Sequence, residues 1–226
     1  MIVGIKFKLN ESLYLKDPQE SKLGKKILHS SILMINEIGI EAYTFKKLAT
    51  EIGSAEKSIY RYFDNKHNLL LFLTSWYWEW VHYLIEVNTK NLSDPTKKMD
   101  IIIENIVHAT SENPLTEYIN ENILHKIVIN EGSKAYHTFS VDEENKVGRF
   151  SAYKSLVKIV AEVICEINPK FKYSASLASN LFEMANNQIY FAEHLPKLTS
   201  LCTGKNKEQE LIEMMKFFSR KLLVTQ

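Results

Sequence analysis

Glycine and proline are both scarce in this chain of 226 residues, at 7 and 5 copies, against the roughly 7% and 5% of an average protein. The tight left-handed turns of β-sandwiches and barrels draw on glycine first, so a helical fold is expected. Cysteine is nearly absent. Cys165 and Cys202 cannot build a disulfide framework or a four-cysteine zinc site, which fits a reducing, cytoplasmic compartment. The start, Met1 to Lys8, alternates apolar with polar or small residues and lacks the continuous apolar run of a secretory signal. The most apolar stretch, Leu69 to Val87, contains Glu79, His82 and Glu86. An acidic residue near the centre of a span costs about 2.5 to 3.5 kcal/mol, so this stretch reads as a buried helix and no membrane partner is expected.

No large excess of charge is present either, since the formal net charge is +1. What there is divides by region: residues 20–67 hold 8 Lys/Arg against 6 Asp/Glu, and residues 68–226 hold 17 against 19. That is the sign a nucleic-acid-binding head on a neutral body would show. With 45% hydrophobic and 24% charged residues the chain has the composition of an ordinary globular protein. Its length allows one large domain or two small ones.

Three segments follow from the patterning. Residues 1–19 carry the alternating runs Val3/Ile5/Phe7/Leu9 and Leu13/Leu15, separated by Asn10-Glu11-Ser12, which predicts a short N-terminal β-hairpin. Such a hairpin must pack on the body or a partner, or serve as an arm reaching DNA. Residues 20–67 switch to helical spacing. Leu23, Ile27, Ser31, Met34 and Ile38 share one face, with Gly39 as the stop. Thr44 then precedes the stripe Phe45, Leu48, Ala49, Ile52 as a helix cap, and Gly53 ends that second helix. A third begins at Glu56 and sets Ile59 and Phe63 on one face, giving a helix-turn-helix. Residues 68–226 predict six long helices, at about His67–Leu92, Thr96–Ser111, Leu115–Glu131, Asp142–Ile167, Ser174–Leu195 and Lys207–Val224, with a further helical turn within Ser133–Ser140. The fold class expected is all-α: a three-helix head on a larger helical bundle.

With Ile59 and Phe63 inward, Lys57 and Arg61 point away from the core and Ser58 and Tyr60 lie on its flanks. Arg and Lys suit guanine O6 and N7, Ser suits a base edge, and a Tyr hydroxyl suits a phosphate. Thr44 heads the second helix beside free backbone N–H groups, and Lys46, Lys47 and Lys66 flank the same surface. Glu56 favours the helix dipole but would repel a phosphate.

The ordered run from Thr44 to Leu70 resembles the signature of the TetR/AcrR family of bacterial transcriptional regulators. The matching features are Gly39, Thr44, Leu48-Ala49, Gly53, Ile59-Tyr60, Tyr62-Phe63, Lys66 and Leu69-Leu70. The match spans about Leu23 to Leu71, and the remainder resembles the family only in length and helicity. The resemblance implies phosphate contacts from Thr44, Tyr60, Tyr62 and Lys66, and base or groove contacts from Lys57, Ser58 and Arg61. Two departures stand in the turn. Ser54-Ala55 replaces the usual Val-Ser, so that either Ser54 takes over as cap and DNA-facing hydroxyl or the cap is lost. Lys57 replaces a commonly small residue.

The body holds 18 of the 25 aromatics. Trp76, Trp80 and Tyr83 form an aromatic stripe that reads either as bundle core or as the wall of the small-molecule cavity that the resemblance implies. His108, Tyr118 and His125 are the candidate polar tips of such a cavity. Leu177, Leu181, Met184 and Phe191, with Leu211, Met215, Phe218 and Leu222, exceed what one side of a bundle needs. They fit a two-fold interface, and the resemblance implies a homodimer whose two heads reach successive major grooves about 34–36 Å apart. Glu104/His108 and Glu121/His125 are spaced i, i+4, whereas di-iron bundles use i, i+3. No metalloprotease, nucleotide-loop or serine-elbow motif occurs. The reading is therefore a ligand-responsive DNA-binding regulator, a repressor released from double-stranded operator DNA by a small apolar or aromatic effector. No cofactor, metal or catalytic residue is expected. Two other classes stay open: a helical protein-interaction module with a vestigial head, and a helical metal-carboxylate enzyme.

Overall fold

The computed structural model describes residues 5–109, 116, 118–202, 204 and 206–223. Among them the chain forms ten α-helices, short 3-10 turns and no strand. It divides into two compact units, Met1–Glu79 with Thr110–Ala152, and Trp80–Ala109 with Tyr153–Gln226.

The first unit contains α1 (Lys22–Ala42), α2 (Phe45–Glu51), α3 (Glu56–Ile59), the first part of α4 (Lys66–Thr89), α6 (Glu121–Glu131) and α7 (Val141–Lys146). Helix α1 starts where the Ser21 hydroxyl accepts the Gly24 N–H. It buries Ile27, Leu28, Ser31, Ile32 and Ile35, so its inward face is rotated from the expected stripe and Ile38 is exposed. Gly39 interrupts it as expected, with φ 72°, but a final turn continues to Ala42 and packs against α6. The freed Ile40 N–H donates to Glu131 Oε1 at 3.1 Å.

Among the described residues the expected N-terminal hairpin is not formed; Val3 of its first run lies outside them. Residues 5–21 are irregular, with 3-10 turns at Glu11–Leu13 and Pro18–Glu20. Side chains satisfy the backbone groups that a partner strand would have taken. Gln19 accepts from the Phe7 N–H and donates to the Phe7 carbonyl, and Asn10 accepts from the Ser12 N–H. The segment packs instead of pairing, with Leu9 and Leu13 buried.

Two of the long helices expected in the body are shorter than their apolar period suggests. The one expected over Leu115–Glu131 begins at Glu121, capped by the Asn120 side chain; Leu115 lies outside the described residues. The one expected over Asp142–Ile167 is two, α7 and α8 (Ser151–Ile167), parted at Gly148, whose φ of 80° a helix does not admit. The further turn expected after Ser133 is a 3-10 turn at Gly132–Ala135.

The second unit contains the rest of α4, α5 (Pro95–Val107), most of α8, α9 (Ser174–His194) and α10 (Lys207–Leu223). Helix α10 packs on α5 and α9, around Leu181, Leu211 and Met215. Its polar side pairs with α5 through Lys216–Glu104 and Arg220–Asp100, each at 2.6 Å. No helix among the described residues is long and apolar enough to cross a membrane.

Candidate nucleic-acid interface

Helix α2 begins where the Thr44 hydroxyl accepts the Lys47 N–H at 3.2 Å. Phe45, Leu48 and Ala49 are its buried side, which leaves Thr44, Lys46 and Lys47 exposed. The Lys47 ammonium turns back to the Ala42 carbonyl at 2.8 Å. The link to α3 uses Gly53 at φ 62°, a conformation that costs an L-residue roughly 1–2 kcal/mol. Helix α3 has Ala55 at its N-cap and no side-chain cap bond. Of the two outcomes left open for this turn, the cap is therefore lost, and Ser54 stands half-buried.

The recognition segment is a shorter rod than its apolar spacing suggests. Regular helix covers Glu56–Ile59, and Tyr60 to Tyr62 continue as a tighter turn, with the Tyr62 N–H donating to the Ile59 carbonyl at 2.8 Å. Ile59 and Phe63 are fully buried, as expected. Lys57 and Arg61 are exposed, Ser58 is partly so, and Tyr60 is 46% exposed with its ring edge-on to Phe45 at 5.1 Å. Lys57, Ser58 and Arg61 thus project from one short scaffold with their donors free to meet base edges or phosphates.

Two residues that the resemblance assigned to phosphates are committed within the protein. Tyr62 is only 4% exposed, and its hydroxyl lies 2.7 Å from Ser21 Oγ. The Lys66 ammonium donates to the carbonyls of Ile40 and Glu41 at 2.8 and 2.9 Å, and of Tyr43 at 3.5 Å. It neutralises the carbonyl-rich end of α1, where a cation is favoured.

The candidate pocket residues fall into separate settings. In the first unit Trp76 is fully buried, edge-on to Phe7 at 5.2 Å, and hydrogen-bonds with Tyr118. The Tyr118 hydroxyl donates to Gln19 Oε1 at 3.1 Å, and burial pushes its pKa up to about 12. His125 is buried and stacks on Tyr77 at 5.4 Å. In the second unit Trp80 is buried, donates to the Ala109 carbonyl at 3.1 Å and stacks on Tyr83 at 5.8 Å. His108 does not supply an enclosed polar tip. It sits at the end of α5, half-exposed, with Nδ1 3.4 Å from Glu208.

Of the eight candidate interface residues, Leu181, Leu211 and Met215 are core of their own unit, each fully buried. Leu177, Met184 and Phe191 are half-buried, and Phe218 and Leu222 are 42% and 54% exposed. Leu177, Met184, Phe218 and Leu222 line an apolar groove of about 460 Å³ between α9 and α10, which Phe171 and Tyr173 extend.

Residues 27–72 match the family model of bacterial regulatory proteins, tetR family. Over those residues the head of this chain is of the tetR type. The match ends within α4, and for the bundle beyond it there is likeness of fold to solved structures. AibR in complex with isovaleryl coenzyme A and operator DNA aligns with a TM-score of 0.57 at 12% identity, over 88% of this chain and 98% of that one. The fatty acid degradation regulator FadR from Bacillus halodurans aligns with a TM-score of 0.60 at 16% identity, over 89% and 96%. The superantigen PfiT aligns with a TM-score of 0.60 at 15% identity, over 93% and 100%. These likenesses are of fold. No curated protein matches the sequence significantly. In this head Lys57, Ser58 and Arg61 face solvent, whereas Tyr62 and Lys66 are hydrogen-bonded to Ser21 and to the end of α1.

Proposed function

We propose that this protein is a ligand-responsive, DNA-binding transcriptional regulator that acts as a homodimeric repressor. The observation that carries the reading is the solvent-facing set Lys57, Ser58 and Arg61, on a short helix and the turn that follows it, over Ile59 and Phe63 locked into the core. That row enters the major groove of double-stranded operator DNA. Thr44, Lys46, Lys47, Ser54 and Tyr60 meet the backbone around it. Tyr62 and Lys66 act from behind as supports. The functional head is residues 20–67, and residues 68–226 sense ligand and dimerise. The dimer forms through the groove face of α9 and α10, which Leu177, Met184, Phe218 and Leu222 line. Phe191, half-buried on α9, borders it.

The effector is a small apolar or aromatic molecule bound among the aromatic residues of the long helices. Trp76, Tyr118 and His125 in the first unit combine ring faces with hydrogen-bonding tips. AibR, which shares the fold, is described with both isovaleryl coenzyme A and operator DNA, and this supports a ligand response. Such an effector releases DNA only to the extent that it binds the DNA-free arrangement more tightly. The protein carries out no catalytic reaction of its own and works in the cytoplasm.

Selection of bound duplexes from a random library, followed by titration, tests the reading. A recurrent, two-fold-related sequence bound with a steep salt dependence is expected. Recovery of no preferred duplex, together with a stable protein partner in pull-downs, would replace it with the interaction-module alternative.

A further inference from the structure

The recognition segment ends at Tyr62, and the contacts that fix this residue come from the chain before α1. The Leu15 N–H donates to the Tyr62 carbonyl at 2.8 Å. The Lys16 ammonium stands 5.5 Å from the centre of the Tyr62 ring, and Ser21 Oγ meets its hydroxyl at 2.7 Å. All three act on the residue next to Arg61. The same segment lies hard against α1: a Cβ on Gly24 would sit 2.2 Å from the Pro18 carbonyl oxygen, so it cannot shift there without moving the helix.

Its earlier half is fastened to other elements of the first unit. Phe7 packs on Trp76, and both of its backbone groups bond to the Gln19 side chain, which also takes the Tyr118 hydroxyl. Asn10 Nδ2 donates to the carbonyls of Val147 and Gly148 at 3.0 and 3.1 Å, in the break between α7 and α8. The Tyr14 ring packs on Phe72 of α4 at 5.9 Å. One continuous stretch is therefore bonded both to the residue behind Arg61 and to the Trp76–Tyr118 pair.

We propose that residues 5–21 are a positioning strap for the recognition segment, which sets the seat of Arg61 through Tyr62 and links it to Trp76, Tyr118 and the Val147–Gly148 turn. The proposal rests on the DNA-binding reading above and deepens it. Covering the core requires only the apolar side chains of the strap. The Leu15–Tyr62 and Ser21–Tyr62 bonds and the Asn10 clamp are directional, and they join points that a plain apolar cover has no need to couple.

The test uses the full-length protein with Phe7→Ala and Asn10→Ala combined, which removes the Trp76 packing and the Val147–Gly148 clamp of the far end without touching the head, and separately Tyr62→Phe, which removes only the hydroxyl contact. Affinities are measured for a selected operator and for a scrambled duplex, with amide exchange at Leu15 as a second readout. The double variant is expected to bind operator at least about fivefold more weakly. Its scrambled-duplex affinity stays unchanged, because no charge has been altered, and its Leu15 amide exchanges faster. Tyr62→Phe weakens operator binding in the same direction. Operator affinity within about twofold of wild type in the double variant would overturn the strap, as would equal weakening on both duplexes accompanied by a lower melting temperature. If wild type selects no duplex, the DNA-binding reading fails on its own. Unaltered Leu15 exchange in the double variant sinks the strap in either case.

Discussion

The recognition segment and the α9–α10 groove both face solvent, yet they leave opposite chemistry uncovered. The first exposes Lys57, Ser58 and Arg61 over a buried Ile59 and Phe63. The second exposes Phe218 and Leu222 beside a half-buried Leu177 and Met184. A row of donors carried on a locked hydrophobic base suits a polyanion, because the side chains remain hydrated until a better acceptor replaces water. Apolar side chains in a continuous groove gain only by contact with other apolar surface, which in the dimer proposed above a second copy of the same face would provide. The two surfaces therefore fail under different substitutions, and that difference makes the account testable.

The largest effect is expected at the groove. Phe218→Asp with Leu222→Asp places carboxylates at an apolar seam and, counted on both copies, should weaken self-association by at least about 4 kcal/mol. Sedimentation should show monomer at concentrations where wild type is dimeric, while an isolated head still contacts DNA weakly. Next comes the support beneath the recognition segment. Lys66→Met removes a cation that holds the Ile40 and Glu41 carbonyls, at a cost of about 1.5–3 kcal/mol in thermal or denaturant unfolding. A residue whose only role is to touch phosphate would leave stability unchanged. Gly148→Ala forces an L-residue to φ 80° with its Cβ 2.9 Å from Asn10, and should cost about 1–2 kcal/mol in the same assay. Lys46→Ala should leave stability alone and reduce the salt slope of DNA binding by roughly one. The smallest effect concerns alkaline pH. The Tyr118 phenol is held neutral by burial, with its pKa pushed from 10.0 up to about 12. Its contribution is complete below pH 10 and lost as pH rises toward 12, because the unfolded chain gives up this proton first. Tyr118→Phe should therefore flatten the alkaline part of the stability profile.

The local signals of the head were legible because they act over a few residues. Gly39 and Gly53 mark stops in the sequence and both adopt positive φ; Thr44 marks a cap and accepts the Lys47 N–H. The inward pair Ile59 and Phe63 followed from spacing alone. What the pattern could not carry was the identity of each partner. Helical periodicity marks an apolar face without saying what covers it, which is why Leu181, Leu211 and Met215 were grouped with Phe218 and Leu222 although their own unit buries them. Tyr62 and Lys66 have the right chemistry for phosphate, and only the positions of Ser21 and of the α1 carboxyl-terminal turn show where that chemistry is spent. Alternation over Val3 to Leu15 suggested strands, but side chains such as Gln19 and Asn10 can satisfy an extended backbone equally well. Gly148 was the missed signal for the break between α7 and α8, since a glycine in an otherwise continuous helical period marks a place where the backbone can leave the helix.

The most direct measurement is an anisotropy titration of wild type and Arg61→Ala against an operator selected by the wild-type protein and against a scrambled duplex of the same composition. Arg61→Ala is expected to lose about 1–3 kcal/mol on the operator and to relax its preference between the two duplexes, with the melting temperature unchanged. Equal affinities of wild type and variant for the selected operator would contradict it.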